Sequence, residues 1–290
     1  MRRHRFALLA VPLLLAAGAC APVEEETGAE ATGSPTDSAE ACATENLPLE
    51  TDGQLTVGTD SPAYEPWFVD NDPSNGEGYE SAVAYAVAEE LGFTREQVTW
   101  VKVPFNTSYA PGEKEFDFDI NQISITPERE KAVDFSDGYY SAAQAVIAPK
   151  GSDAAEAASV EDLKDIRLGA QTGTTSLTAV RDVIQPTEQP LVFEDTNAAK
   201  QALANDQVDA IVADLPTAFY ITAVEIPNAT IVGQFQPAEG ETEEFGMLFE
   251  KGSELVPCVN QALASLKDSG ELQDIEQQWL SDVVDVPVLD

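Results

Sequence analysis

One arginine stands out among the residues whose chemistry suits ligand binding. Arg129 lies in the segment 124–140, SITPEREKAVDFSDGYY, in a polar turn that follows an apolar stretch. A guanidinium is permanently charged, and its planar fork of donors binds a carboxylate through two parallel hydrogen bonds. An arginine fixed at a strand end is therefore a candidate anchor for an acid group. The alternative is a surface ion pair with Glu128, Glu130 or Asp134.

Two other polar positions follow short predicted strands. In the stretch 170–176, AQTGTTS, a strand gives way to a helix that begins at Thr174. Unpaired backbone amides at such a point favour an anion, and threonine hydroxyls add donors. Asp214 stands at the end of another strand, just before Pro216 opens a helix, at the edge where α/β sheets bind ligands. Helix capping is the alternative at both positions.

Composition excludes several function classes. His4 is the only histidine and falls in a predicted leader, so we expect no catalytic residue of the histidine type and no metal site built on histidine. No phosphate-binding loop, dinucleotide glycine pattern or cysteine cluster is present, and no cofactor is predicted. The net charge of −37, with 15 basic residues, argues against nucleic acid as a partner.

The N-terminus predicts export. Three arginines at positions 2, 3 and 5 precede an apolar run at 6–17, and small residues lead to Cys20, so residues 1–19 have the layout of a signal peptide. A transmembrane helix is disfavoured because it needs about 20 apolar residues. The sequence before Cys20 resembles a lipobox, which implies a lipidated Cys20. Ordinary cleavage after Ala17-Gly18-Ala19 is the alternative.

Residues 20–49 predict a disordered acidic tether. They are rich in Glu, Thr, Ala, Ser and Gly and show no apolar period, so they bury too little surface to offset the entropy of ordering. If Cys20 is lipidated, Cys42 and Cys258 remain as a pair in an oxidising compartment, where a disulfide is expected. The alternative is that Cys258 is a buried free thiol.

From about residue 50 the chain alternates strand-like and helix-like periods, which predicts an α/β fold. Examples are a strand at 55–59, a helix at 79–91 and a long strand at 118–125. About 240 residues are more than one core usually holds, so two lobes are expected.

The segment around Arg129 resembles the signature of the family 3 extracytoplasmic solute-binding proteins, the amino-acid receptors of ABC importers. The resemblance implies a two-lobed, type II periplasmic-binding-protein-like fold with a central ligand cleft. Lobe 1 would comprise 50–141 and 246–290, lobe 2 would comprise 142–245, and two hinge crossings would lie near 140–143 and 244–247. It also implies that Arg129 clamps an α-carboxylate, that Thr175 contacts the same group from lobe 2, and that Asp214 binds the α-ammonium.

A further stretch carries the resemblance. The loop 58–68, GTDSPAYEPWF, is similar to the family's loop after the first strand, which implies that Asp60 faces the ligand and that Tyr64 with Trp67 or Phe68 packs on it. For the last two residues, a place in the core of lobe 1 is the alternative.

The stretch 119–124, DINQIS, departs from the family pattern, since many members have small or apolar residues there. We expect Asn121, Gln122 and Ser124 to supply amide and hydroxyl contacts, which favours a polar ligand side chain.

The sequence therefore predicts a binding protein and not an enzyme. It would capture a polar amino acid and deliver it to an ABC permease, as a monomer anchored by lipid to the outer face of the cytoplasmic membrane, or secreted or periplasmic without lipid. The alternatives are a lyase on the same fold, similar to the cyclohexadienyl dehydratases, and a surface sensor or adhesin.

Overall fold

The computed structural model describes residues 41–236, 243–280 and 286–289. The predicted signal peptide, the lipidation site at Cys20 and most of the predicted tether lie outside these residues. In the described part, no helix is both long and apolar enough to cross a membrane.

Twelve strands are present in the described residues. They are β1 Leu55–Thr59, β2 Val98–Lys102, β3 Phe118–Asp119, β4 Val133–Phe135, β5 Tyr140–Ala142, β6 Gln144–Pro149, β7 Leu168–Gln171, β8 Leu191–Phe193, β9 Ala210–Asp214, β10 Ala229–Phe235, β11 Glu243–Phe245 and β12 Leu248–Glu250.

The α-helices lie mainly between these strands. They are α1 Tyr79–Glu90, α2 Phe105–Ser108, α3 Thr175–Ala179, α4 Thr196–Ala204, α5 Leu215–Tyr220, α6 Val256–Ser269 and α7 Glu271–Leu280. Helix α3 continues into a π-helical turn at Val180–Ile184, and α5 continues into another at Ile221–Glu225.

Lobe 1 is built on a five-stranded sheet in the order β2-β1-β3-β12-β4. Strand β1 is parallel to β2 and β3, and β12 runs antiparallel to β3 and β4. Every residue of β1 is buried, which suits an inner strand covered on both faces. Helices α1, α6 and α7 pack together against one face around the buried side chains of Val83, Val87 and Leu263.

Lobe 2 is built on a second five-stranded sheet in the order β10-β6-β9-β7-β8. Strands β7, β8 and β9 are parallel, and β6 runs antiparallel to both of its neighbours. The apolar run of β6 is buried from Gln144 to Ala148, and separate hydrophobic clusters cover the two faces of the sheet. The carboxyl ends of β7 and β9 place the predicted site residues Thr174, Thr175 and Asp214 at one edge.

A two-stranded sheet joins the lobes. Strand β5 pairs antiparallel with β11, with Glu243 opposite Ala142 and Phe245 opposite Tyr140. These strands lie at the two crossings that the sequence predicts near 140–143 and 244–247. The chain thus passes from lobe 1 to lobe 2 through β5 and returns through β11.

The C-terminal end departs from the predicted division, which gave all of 246–290 to lobe 1. Helix α7 ends at Leu280 on lobe 1, but Val286–Leu289 lie on lobe 2 beside the edge strand β10. The backbone N–H of Gln234 donates to the Pro287 carbonyl at 2.7 Å, and that of Leu289 donates to the Gln234 carbonyl at 2.8 Å. Leu289 is only 4% exposed, because Gly233 lacks a side chain that would collide with it. The described residues 286–289 therefore belong to lobe 2 and not to lobe 1.

The predicted disulfide is confirmed: Cys42 and Cys258 are bonded, with a sequence separation of 216 residues. The bond ties the start of the described chain to helix α6 in the core of lobe 1. By the chain-entropy argument, so long a loop makes the bond worth about 2–5 kcal/mol.

The prediction of a strand over 118–125 is wrong for its second part, because the observed strand β3 ends at Asp119. Gln122 has a positive φ of 48°, so the backbone turns out of the sheet, and its N–H donates to a carboxylate oxygen of Glu80 at 2.6 Å. Only Ser124 returns to a ladder, as an isolated bridge to Phe245. A buried acid on a distant helix has overridden the local pattern.

The C-terminal segment yields a test with a matched control. We expect Leu289→Ala to lower the free energy of unfolding by about 2–4 kcal/mol, because it leaves a cavity in lobe 2. Val288→Ala should cost about 0.5 kcal/mol or less, because Val288 is 64% exposed. Urea unfolding of both variants measures the difference. Equal effects would mean that the segment does not dock on lobe 2.

Candidate ligand-binding site

A cavity lies between the lobes. Both lobes supply its walls. It is lined by these residues that the sequence predicts as ligand contacts: Asp60, Tyr64, Asn121, Gln122, Ser124, Thr174, Thr175 and Asp214. The fold therefore brings together side chains that are as much as 154 positions apart along the chain, the separation of Asp60 and Asp214.

Arg129 lies behind the cavity wall and not among its lining residues. Its Nη1 donates to the Ser124 carbonyl of lobe 1 at 2.7 Å, and its Nη2 donates to the Gly173 carbonyl of lobe 2 at 3.0 Å. The guanidinium also lies 4.8 Å from the centroid of the Tyr109 ring and 5.6 Å from that of Phe105. Arg129 is thus a buried cation at the joint between the lobes.

The surface ion pair considered for Arg129 is not what the structure contains. Glu128 pairs with Lys131, and Asp134 pairs with Lys251 at 2.5 Å. Arg129 is 8% exposed, so the guanidinium is turned away from these acids and toward the cleft.

The turn before α3 fits closely under lobe 1. Gly173 has a φ of +74°, and a side chain there would collide with Tyr109 and Asn106 of lobe 1. The Thr174 hydroxyl accepts a hydrogen bond from the backbone N–H of Leu177 at 3.1 Å, so it caps α3, which is the alternative considered from the sequence. Thr174 also lines the cavity. The Thr175 hydroxyl lies 3.2 Å from the Ser124 hydroxyl across the cleft.

Asp214 ends β9 at the cavity wall, and its side chain does not cap α5. Its Oδ1 accepts a hydrogen bond from Gln144 Nε2 at 2.9 Å. The same amide nitrogen donates to Glu243 at 2.8 Å. Two carboxylates therefore share one amide donor at the edge of lobe 2.

Asp60 and Tyr64 form the part of the wall that follows β1. Asp60 accepts hydrogen bonds from the backbone N–H groups of Ser61 at 2.6 Å and Phe105 at 3.0 Å. The Tyr64 ring lies 5.3 Å from Lys200 Nζ of lobe 2, and Lys200 is itself paired with both oxygens of Glu225.

Trp67 and Phe68 do not line the cavity, so this part of the expected ligand set needs correction. Both are fully buried in the core of lobe 1. The Trp67 ring packs edge-on against Tyr140 at 5.5 Å and Phe245 at 5.7 Å, because the loop folds back under the hinge strands. Its only polar atom, Nε1, donates across the cleft to the Thr217 hydroxyl at 2.9 Å. Trp67 therefore contributes to the contact between the lobes.

Several residues of the site are not predicted from the sequence. Phe105, Gln171, Thr196 and Thr217 line the cavity, and behind it Gln144 donates to both Asp214 and Glu243. Phe105 follows strand β2 at the same sheet edge as Asp60, so the strand-end argument used for Asp214 would have found it. Glu243 gives no such local signal, because its partners lie far away in the chain.

Comparison with known proteins agrees with this architecture. The sequence model described as bacterial extracellular solute-binding proteins, family 3, matches residues 55–282. The chain belongs to this family. The arginine-binding extracellular protein ArtP of Bacillus subtilis (strain 168) is 29% identical over 248 residues, which cover 83% of this chain and 92% of the relative.

Two solved structures are similar to this solute-binding protein. An ancestral arginine-binding protein bound to glutamine is 32% identical, with a TM-score of 0.66, and the match covers 79% of this chain and 98% of that one. An ancestral amino acid-binding protein described as a precursor of cyclohexadienyl dehydratase is 31% identical, with a TM-score of 0.65, and the match covers 79% of this chain and 95% of that one.

The electrostatics of the solute-binding protein are dominated by enclosed acids. Burial raises the pKa of Asp214 well above its usual range, and the negative charge of Glu243 raises it further. Burial lowers the pKa of Arg129, an effect that Glu243 and Asp214 partly oppose. Within the described part of the chain, the cavity lining contains no lysine or arginine, and no group of acidic, cysteine or histidine residues is arranged to hold a metal ion.

Glu80 controls the backbone of one cavity residue. It is fully buried in the first turn of α1, and its carboxylate accepts hydrogen bonds from the Gln122 N–H at 2.6 Å, from the Gln122 side chain and from the Tyr139 hydroxyl. Burial nevertheless raises the pKa of Glu80 to about 7. The folded state therefore binds the Glu80 proton more tightly than the unfolded state does.

This shift predicts a pH-dependent stability. Below the unfolded pKa of about 4.5 the contribution of neutral Glu80 is fully present, and it is lost as the pH rises through about 7. Between pH 5 and pH 8 we expect the wild type to lose about 3 kcal/mol more than Glu80→Gln, which keeps the shape of the neutral acid. Urea unfolding at both pH values measures this.

The control is Glu89→Gln, because Glu89 is an exposed acid on the same helix. It should follow the wild type at both pH values. Parallel pH profiles for the wild type and Glu80→Gln would contradict the assigned pKa of Glu80.

Proposed function

We propose that this protein captures a free amino acid between its lobes and delivers it, chemically unchanged, to the permease of an ABC importer. The observation that carries the proposal is the charge arrangement around the cavity: a buried guanidinium, Arg129, lies behind one wall, and an acid, Asp214, lies in another. A zwitterion matches that pair of charges. Family membership and the likeness to amino-acid-binding proteins support the same function.

The carboxylate end of the ligand is assigned to Arg129 and to the backbone N–H groups of Thr174 and Thr175. A guanidinium has five N–H groups, and its bonds to the Ser124 and Gly173 carbonyls fix the plane of its fork next to the cavity. Thr174 and Thr175, at the start of α3, line the cavity, and the N-terminal end of a helix favours negative charge. Both lobes contact this end, so binding there favours closure of the cleft.

The ammonium end is assigned to Asp214. This carboxylate is enclosed near a second acid, Glu243, whose negative charge disfavours its ionised form. Within the described residues, the positive charge of Arg129 partly offsets this effect. An ammonium ion placed at Asp214 would lower its pKa and favour the ionised form. Asp214 is therefore placed to select amino acids over simple carboxylic acids.

The ligand side chain is expected to be polar and either neutral or cationic. Asp60, Asn121, Gln122, Gln171 and Thr196 supply carboxylate, amide and hydroxyl groups to the cavity. An acidic side chain would meet Asp60 without a cation in the lining to balance it. The arginine-binding relative and the structure bound to glutamine are consistent with this class.

We also infer that the protein is not an enzyme and that it works as a monomer held at the membrane by a lipid on Cys20. The similar structure described as a precursor of a dehydratase is itself an amino acid-binding protein. The only histidine, His4, lies in the predicted leader, which leaves the site without the most common general base. Mass spectrometry of the membrane fraction tests the lipid on Cys20.

A ligand screen tests the proposed function. The protein, stripped of ligand by unfolding and refolding, is heated with each of the twenty amino acids, and unfolding is followed by fluorescence. A ligand that binds only the folded state should stabilise it by about 2.7 kcal/mol at a concentration 100 times its Kd. An unchanged melting temperature with all twenty would overturn the proposed function.

Variants of Arg129 and Asp214 test the assigned ends. Arg129→Ala should weaken binding of the best ligand by about 3–5 kcal/mol, because it leaves a carboxylate unpaired in an enclosed site. Arg129→Lys should recover only part of this loss, because a point charge lacks the fork. Asp214→Asn should weaken binding yet leave the unliganded protein as stable as before. Calorimetric titration measures the affinities, and unchanged Kd values in folded Arg129→Ala would show that Arg129 is structural.

A further inference from the structure

Glu243 is a buried acid at the joint between the lobes to which the proposed function assigns no role. It lies on β11, in the two-stranded sheet that connects the lobes, opposite Ala142. Glu243 is 7% exposed, whereas the next residue, Glu244, points the other way and is exposed. A carboxylate enclosed in this way requires donors for both of its oxygens.

The donors come from both lobes. Glu243 Oε1 accepts hydrogen bonds from the Ser124 hydroxyl of lobe 1 and the Thr175 hydroxyl of lobe 2, each at 2.5 Å. Glu243 Oε2 accepts from Gln144 Nε2 at 2.8 Å, and the same nitrogen donates to Asp214 Oδ1 at 2.9 Å. One carboxylate thus contacts two side chains of the cavity wall directly and a third through an amide.

These bonds fix the polarity of the two hydroxyls. A serine or threonine hydroxyl has one proton to donate and lone pairs that accept, whereas an ionised carboxylate only accepts. Because the protons of Ser124 and Thr175 are directed at Glu243, their oxygen atoms are left as acceptors where they line the cavity. Acceptors that line the same cavity as the Asp214 carboxylate suit a group with several N–H donors.

We propose that Glu243 is a positioning residue for the ligand's α-ammonium group, acting through the hydroxyls of Ser124 and Thr175. It turns both hydroxyl oxygens into acceptors that complete, with Asp214, a binding site for one ammonium ion. The inference rests on the proposed function, because it concerns the amino-acid site named there. Through these hydroxyls Glu243, which lies on the hinge strand β11, favours ligands that carry an amino group.

Glu243→Gln removes this arrangement with little change in shape. If the new amide nitrogen faces Gln144, two donors meet, and a flip of Gln144 to relieve this would turn its carbonyl oxygen toward Asp214. If the amide nitrogen instead faces the hydroxyls, it donates to Ser124 and Thr175 and turns their protons toward the cavity. Each orientation loses acceptors for the ammonium.

The experiment compares ligand pairs that differ only in the α-amino group. The tightest-binding of the twenty amino acids is titrated beside its deamino analogue, which for arginine is 5-guanidinopentanoate and for glutamine is glutaramate. We expect Glu243→Gln to weaken binding of the amino acid by about 10- to 100-fold and that of the deamino analogue by less than about threefold. The ratio of the two Kd values therefore falls toward one.

Glu244→Gln is the matched control, because it makes the same change of charge on the same strand but on its exposed face. It should leave both Kd values unchanged. Equal weakening of both ligands by Glu243→Gln would make Glu243 a latch between the lobes and overturn the inference. Tighter binding of both ligands by Glu243→Gln would mean that the Glu243 carboxylate competes with the ligand carboxylate. That result would also overturn the inference. A wild type that binds none of the twenty amino acids would instead refute the proposed function and, with it, this inference.

Discussion

An enclosed carboxylate has to be given hydrogen-bond donors, and this requirement organises the region where the two lobes meet. Glu243 takes its donors from a serine of lobe 1, a threonine of lobe 2 and a glutamine beside the hinge. Glu80 takes its donors from Gln122 and Tyr139 and so turns the cavity backbone out of the first sheet. Side chains that look like separate polar residues in the sequence are parts of two carboxylate-centred networks.

Arg129 complements these networks from the positive side. It donates to one backbone carbonyl from each lobe, and the turn that carries the Gly173 carbonyl fits against Tyr109 and Asn106 only because Gly173 lacks a side chain. With the bond from Trp67 to Thr217, these contacts join the lobes through a few directional interactions. Each such hydrogen bond contributes about 0.5–1.5 kcal/mol net, so closure of the cleft is sensitive to a ligand that adds two or three more.

Acidic residues line the cavity between the lobes as well as the outer surface of the protein. The net charge of −37 describes the whole sequence, but the acids near the cavity are the ones to which the proposed function assigns ligand selection. Asp60 and Asp214 line a cavity that, in the described residues, has no cation in its lining, and Glu243 lies behind its wall. A ligand that brings an ammonium group therefore relieves repulsion that the protein alone retains.

The sequence alone determined the fold class, the family resemblance, the disulfide between Cys42 and Cys258, and the strand ends that carry Asp60 and Asp214. These features depend on local signals: apolar periods, residue types at strand ends, and the number of cysteines in an exported chain. The boundaries of β1, predicted at 55–59, follow from such periods without change.

Only the tertiary structure decided which polar groups meet. Trp67 and Phe68 belong to the core, Gln122 leaves its predicted strand for Glu80, and Leu289 docks on lobe 2 over Gly233. Glu243 shows the reason, since its hydroxyl partners lie 119 and 68 positions away along the chain. A sequence pattern reports the neighbours of a residue along the chain, whereas the donors that a buried charge requires are set by which elements pack around it.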